Sequence, residues 1–264
     1  MKNKKFYILL FLSLSIILTT CINSEDYLRV KQDMSNISYV KQEINYDSIY
    51  ENIPGYSEII KTITEADLQF NSAILLPDDA AEFYISSKNT AIAFGMYSAN
   101  LAYVRHFERV QLCMDYLNSV RVLAGKLAIN PAEFNNLVPV FESSLNDKEE
   151  IFAITDSLLN YGSKWFSDAE LQGLTALFLG GFWLESLYMG TADKNLEDIT
   201  VKQALKSHFE ILNIINLLFE SIEDDSVISD FKSKLLILEN KSYNNPELQD
   251  DILKLRKILT IKEV

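Results

Sequence analysis

Residues 171–184 read Leu-Gln-Gly-Leu-Thr-Ala-Leu-Phe-Leu-Gly-Gly-Phe-Trp-Leu, fourteen positions without a charge, and residues 89–104 read Asn-Thr-Ala-Ile-Ala-Phe-Gly-Met-Tyr-Ser-Ala-Asn-Leu-Ala-Tyr-Val, sixteen more. Neither alternates apolar and polar residues as a half-buried strand does. Both are expected to form central helices, buried on most sides. Gly95 and the pair Gly180-Gly181 lie within them, and each glycine costs about 1 kcal/mol of helix propensity, so close approach of one helix backbone to another is the expected compensation. A membrane span over 171–192 is disfavoured by Gln172, Gly173, Thr175, the glycines and Glu185.

Around these two segments the pattern stays helical. Asp79 with Glu82, Asp147 with Glu150 and Ser167 with Glu170 have capping-box spacing, and Asn130-Pro131 and Asn245-Pro246 place a cap before proline at the first helical position. Helices are expected over 57–72, 79–107, 109–129, 131–145, 148–163, 168–190, 199–223, 226–240 and 246–262. Their lengths and short connections predict an all-α domain over 57–264, antiparallel helical hairpins packed as a bundle or short irregular array around the two central apolar helices. The Trp, Gly, Tyr and Ala positions recur at no fixed period, which argues against a regular solenoid.

The N-terminus reads as an address. Met1 to Lys5 carry three lysines, and the thirteen uncharged residues Phe6 to Leu18 precede Leu18-Thr19-Thr20-Cys21. As a helix, thirteen residues rise only about 20 Å, short of the roughly 30 Å hydrocarbon layer, so a cleaved secretory signal over 1–20 is expected. The last four residues resemble the lipobox of bacterial lipoproteins, with Thr20 where Gly, Ala or Ser is usual. That resemblance implies lipidation at Cys21, a membrane partner through the lipid, and placement on the outer membrane, with Ser24-Glu25-Asp26 resembling an export signal to the surface. Residues 21–56, rich in Asn, Ser, Asp and Tyr and closed by Pro54-Gly55, read as a tether with some local order.

Composition bounds the chemistry. The 264 residues are 48% hydrophobic with only 8 Gly and 5 Pro, enough for a sizeable core. The formal charge is −13, and loss of residues 1–20 with their three lysines leaves 21 Lys+Arg against 37 Asp+Glu, or −16. That sign argues against binding nucleic acid or an anionic membrane face through general electrostatics. With Cys21 occupied by lipid, Cys113 has no intrachain partner and reads as a buried thiol on a helix. Neither His106 nor His208 follows an acid by three residues, so a carboxylate di-iron site is not expected, and His-Glu-x-x-His is absent. The acidic runs 223–225 and 249–251 lack a calcium-loop pattern and read as solvated helix ends. No nucleophile elbow or phosphate loop occurs, and His106 and Cys113 share a face only if the helix is unbroken at Glu108. No metal, cofactor or catalytic residue is expected.

The two central segments also resemble the uncharacterised all-helical putative lipoproteins of the Bacteroidota envelope. The resemblance lies in residues 89–103, the helix from Gln111 to Leu127, and Gly180-Gly-Phe-Trp-Leu-Glu-Ser-Leu-Tyr188, about 110 central residues with the helix between them. It rests on small-residue and aromatic spacing, and implies an all-α fold and an envelope location but no activity.

Glu185 is the remaining chemical feature. A carboxylate among Phe178, Gly181, Phe182, Trp183 and Tyr188 is costly to bury without a partner or a raised pKa. Residues 178, 181, 185 and 188 share one helix face, as do 96, 100, 103 and 107. If the helices meet, Asn100, Tyr103, Trp183, Glu185 and Tyr188 line a polar, aromatic pocket. Alternatively they form a structural hydrogen-bond cluster, with Glu185 satisfied by tyrosine hydroxyls, Arg105 or Arg121. The expected function is a non-enzymatic, lipid-anchored interaction module with an envelope protein partner. Alternatives are a binding protein for a small ligand or peptide in that pocket and an enzyme of unrecognised type.

Overall fold

The computed structural model describes residues 26, 28–34, 38–39, 69–129, 143, 147, 149–150, 153, 157, 172–192, 198–220, 222–223, 225–241 and 247–260. The fold is all-α: α1 Ser87–His106, α2 Val110–Lys126, α3 Gln172–Thr191, α4 Ile199–Glu220, α5 Ser226–Lys241 and α6 Leu248–Thr260 pack on one another. A further helical segment covers 28–34. Strand pairing among the described residues is one antiparallel ladder of Ser38–Tyr39 (β1) with Ile222–Glu223 (β2).

The two apolar segments are the central pair. Every residue of α1 from Thr90 to Val104 is buried, as is every residue of α3 from Gly173 to Leu187. Their helices cross where side chains are missing. A β-carbon at Gly95 would overlap the Phe178 carbonyl oxygen and lie 2.7 Å from the Phe182 amide nitrogen, and one at Gly181 would overlap the Ile92 carbonyl oxygen. The propensity lost at these glycines is the condition for backbone contact. Gly180 faces the other way, where a β-carbon would lie 2.6 Å from Phe231 of α5. Phe94 and Phe178 close the crossing with ring centroids 5.1 Å apart. Outside the pair, α2 packs on α1, α4 on α3, and α5 and α6 against α3.

Helix ends follow local chemistry. Ser86 caps α1, its Oγ accepting from the Asn89 amide at 3.2 Å. At the other end Glu108 takes a φ of 54°, and the Arg109 amide donates to the Val104 carbonyl at 2.9 Å. This Schellman turn separates α1 from α2. His106 and Cys113 consequently sit on different helices; Cys113 is buried in α2 as a thiol outside any disulfide. Ala128, also at φ 54°, ends α2 in the same way, with Ile129 donating to the Ala124 carbonyl at 3.0 Å. Asp225 caps α5 through the Val227 and Ile228 amides at 3.0 and 3.1 Å and pairs with Lys88 of α1. Burial alone would raise the Asp225 pKa, but its bonds to Lys88 and to those amides hold it below the usual carboxylate range.

Three expectations need correction. The helix expected over 79–107 is two elements, a 3₁₀ turn at Asp78–Phe83 and α1, because Tyr84 and Ser86 are extended. Lys126 stabilises the break by donating its ammonium to the carbonyls of Glu82 at 2.6 Å and Tyr84 at 2.8 Å. Of the helix expected over 57–72, residues 69–71 are irregular chain and Ser72 begins a 3₁₀ turn at Ser72–Ile74; residues 57–68 lie outside the described ones. Within the 21–56 tether, residues 28–34 are helical and bury Val30 and Met34 in the core, so packing begins before residue 57. The helix over 131–145 apart from Ser143, which is helical, and the Ser167 cap lie outside the described residues, as does most of 148–163. Asp147 does accept from the Glu150 amide at 3.0 Å, as a capping box requires. No described helix is long and apolar enough to cross a membrane.

Candidate functional site

About one turn beyond the glycine crossing, Asn100 of α1 meets Glu185 of α3. Glu185 is fully buried, and its Oε1 accepts from Asn100 Nδ2 at 2.8 Å. The third member comes from α6: Arg256 donates from Nε to Oε2 at 2.7 Å and from Nη2 to Oε1 at 2.8 Å. This is the bidentate fork of guanidinium and carboxylate. Arg256 also stands over the Tyr188 ring, 4.1 Å from its centroid. Burial alone would lower the Arg256 pKa, but the charge and hydrogen bonds of Glu185 raise it, so the cation is secure.

The same side chains hold a piece of backbone. Asn100 Oδ1 accepts from the Leu76 amide at 3.0 Å and Arg256 Nη2 donates to the Ile74 carbonyl at 2.9 Å. Tyr116 donates to the Leu76 carbonyl, Tyr97 to the Pro77 carbonyl at 2.7 Å, and Ser119 to the Asp78 carbonyl at 2.7 Å. Tyr103 accepts from the Asn71 amide at 3.0 Å while its ring stacks on Phe70. Burial, reinforced by the neighbouring tyrosines at Tyr97 and by Asp78 and Glu185 at Tyr116, pushes both hydroxyls far above their ordinary pKa, so both remain neutral donors. The polar groups beside the crossing are therefore taken up by the chain's own segment 71–78, which α1, α2 and α6 hold.

The expected residues divide accordingly. Asn100, Glu185 and Tyr188 come together, and Tyr103 serves the same segment one turn further along α1. Trp183 does not join them. Its Nε1 donates to the His208 carbonyl of α4 at 2.8 Å, the His208 ring lies stacked on it at 5.1 Å, and His208 Nε2 bonds the Trp183 carbonyl at 2.9 Å. Because a carbonyl only accepts, Nε2 carries the proton. The partner of Glu185 is Arg256 and not Arg105 or Arg121; Arg121 bonds Asn118 on the exposed face of α2. Reading residue by residue missed Arg256, yet a signal was present. Ile252 and Leu255 are buried, and Arg256 follows Ile252 by four residues on the inward face of α6, where a cation needs an acid.

Both Glu185 oxygens are engaged inside the protein, an arrangement suited to holding three elements together and not to moving a proton at a substrate. Among the described residues no group of three His, Cys, Asp or Glu stands close enough to hold a metal ion. Set against known protein families, curated proteins and solved structures, the chain matches none.

Proposed function

We propose that this chain is a lipid-anchored lipoprotein of the cell envelope, held on the outer membrane through Cys21, that acts without catalysis by binding another envelope protein. The observation that carries the reading is the order of basic Met1–Lys5, apolar Phe6–Leu18 and Leu18-Thr19-Thr20-Cys21. The resemblance of the central segments to helical lipoproteins of the Bacteroidota envelope points the same way. Support for an interaction role in place of chemistry comes from Glu185, whose oxygens are spent on Asn100 and Arg256, and from the occupation of the neighbouring space by residues 71–78.

Membrane fractionation of cells expressing wild type and Cys21→Ser tests the anchor. The wild type partitions with the outer membrane and the variant is released. A variant that stays unprocessed and still fractionates with the outer membrane contradicts the assignment. Pull-down from detergent-solubilised envelope tests the interaction role: a stable protein partner supports it, and a bound small molecule with no protein partner opposes it.

A further inference from the structure

Resting on the Cys21 anchor, the geometry points to a membrane-facing side of the domain: we propose that Leu28, Phe83 and Ile85 insert into the lipid surface that carries the anchor. The 28–34 helix is fixed to the domain at both ends. Arg29 pairs with Asp26 at 3.3 Å and donates to the Lys126 carbonyl at 2.9 Å, and Asp33 accepts from Ser87 Oγ at 2.6 Å. Val30 and Met34 lie in the core between those ties. The connection from the 3₁₀ turn to α1 is bound to the same two places, since Lys126 Nζ holds the Glu82 and Tyr84 carbonyls and Ser87 begins α1. Helix and connection therefore share one face, on which Leu28 is 60% exposed, Phe83 43% and Ile85 73%.

The length of chain to the anchor says what covers this face. Cys21 precedes Asp26 by five residues, which span at most about 18 Å even when fully extended. A domain tied so closely to an acylated cysteine keeps the start of the 28–34 helix within that distance of the bilayer. Three apolar side chains suit the headgroup and acyl boundary, where interfacial segments settle about 5–10 Å deep. Lys31, exposed beside Leu28, can extend its charged end toward lipid phosphates. With the mature chain at −16, attraction to anionic lipid does not drive the contact.

The test uses the full chain purified from membranes and reconstituted in phosphatidylcholine vesicles with or without brominated acyl chains. Tryptophan is placed by Phe83→Trp or Ile85→Trp, and by Ile199→Trp at the exposed start of α4 as a control, with folding checked by circular dichroism. The two Trp variants on the face serve as alternates if one fails to fold. Mass spectrometry of the N-terminal peptide first establishes whether Cys21 is acylated. Expected is an acylated Cys21, a clear loss of the added emission at 83 and 85 in brominated vesicles, and no loss at 199. An acylated protein whose positions 83 and 85 are quenched no more than 199 overturns the face and leaves the anchor standing. Unacylated Cys21 overturns the anchor and this inference together.

Discussion

At the scale of single residues, His208 shows what burial does to a titrating group. It is fully buried; desolvation lowers its pKa to about 4, against the smaller opposing effect of its bond to the Trp183 carbonyl. Its Nδ1 meets no hydrogen-bond partner. The unfolded chain takes up this proton near pH 6.5 and the folded chain only near 4, so stability falls as pH drops through that window and is unaffected by this group above it. A shift of this size corresponds to roughly 3 kcal/mol in total. Denaturant unfolding at pH 7 and pH 4 should show the wild type losing about that much more than His208→Gln, which cannot bind the proton. Equal losses would mean that acid acts elsewhere. The imidazole itself was plain in the sequence, but its burial was not, because α4 gives no sign of which neighbour covers that face.

Helices were the most legible scale. Uncharged runs with internal glycines identified α1 and α3 and the reason for their glycines, and the alignment of Asn100 and Glu185 followed from helical periodicity. The crossing yields a paired prediction. Gly181→Ala places a β-carbon into the Ile92 carbonyl, and should lower stability by about 1 to 3 kcal/mol, with Gly181→Leu costing more. Gly125 in α2 has nothing within 4 Å of its would-be β-carbon, so Gly125→Ala should raise stability by about 0.5 to 1 kcal/mol. Thermal melts of the two alanine variants should shift in opposite directions. The split at Tyr84 was not legible, since Asp79 and Glu82 have capping-box spacing and no proline or glycine follows before α1. What ends that turn is Lys126, more than forty residues away, which takes up its carbonyls.

Across the whole molecule, the Glu185 cluster joins parts of the chain far apart in sequence. Arg256 reaches Glu185 across 71 residues and Ile74 across 182, while Asn100 reaches Glu185 across 85. Sequence periodicity reports neighbours within one helix and is silent on such pairings, so half of the site was readable and its cation was not. The 28–34 helix escaped for the same reason: a short polar segment with only Val30 and Met34 to bury shows no sustained period. A buried pair contributes less than its Coulomb energy implies, because both ions lost water, but removing one partner strands the other. The most direct test of a structural role for this cluster is a denaturant-unfolding cycle of wild type, Glu185→Gln, Arg256→Met and the double variant. Each single variant should lose about 3 to 5 kcal/mol, and the double should lose clearly less than their sum, because neither charge is then left alone. Glu185→Gln unfolding at the wild-type midpoint, yet failing to retain the partner that the wild type captures from envelope extract, would contradict the account and make the cluster a binding site.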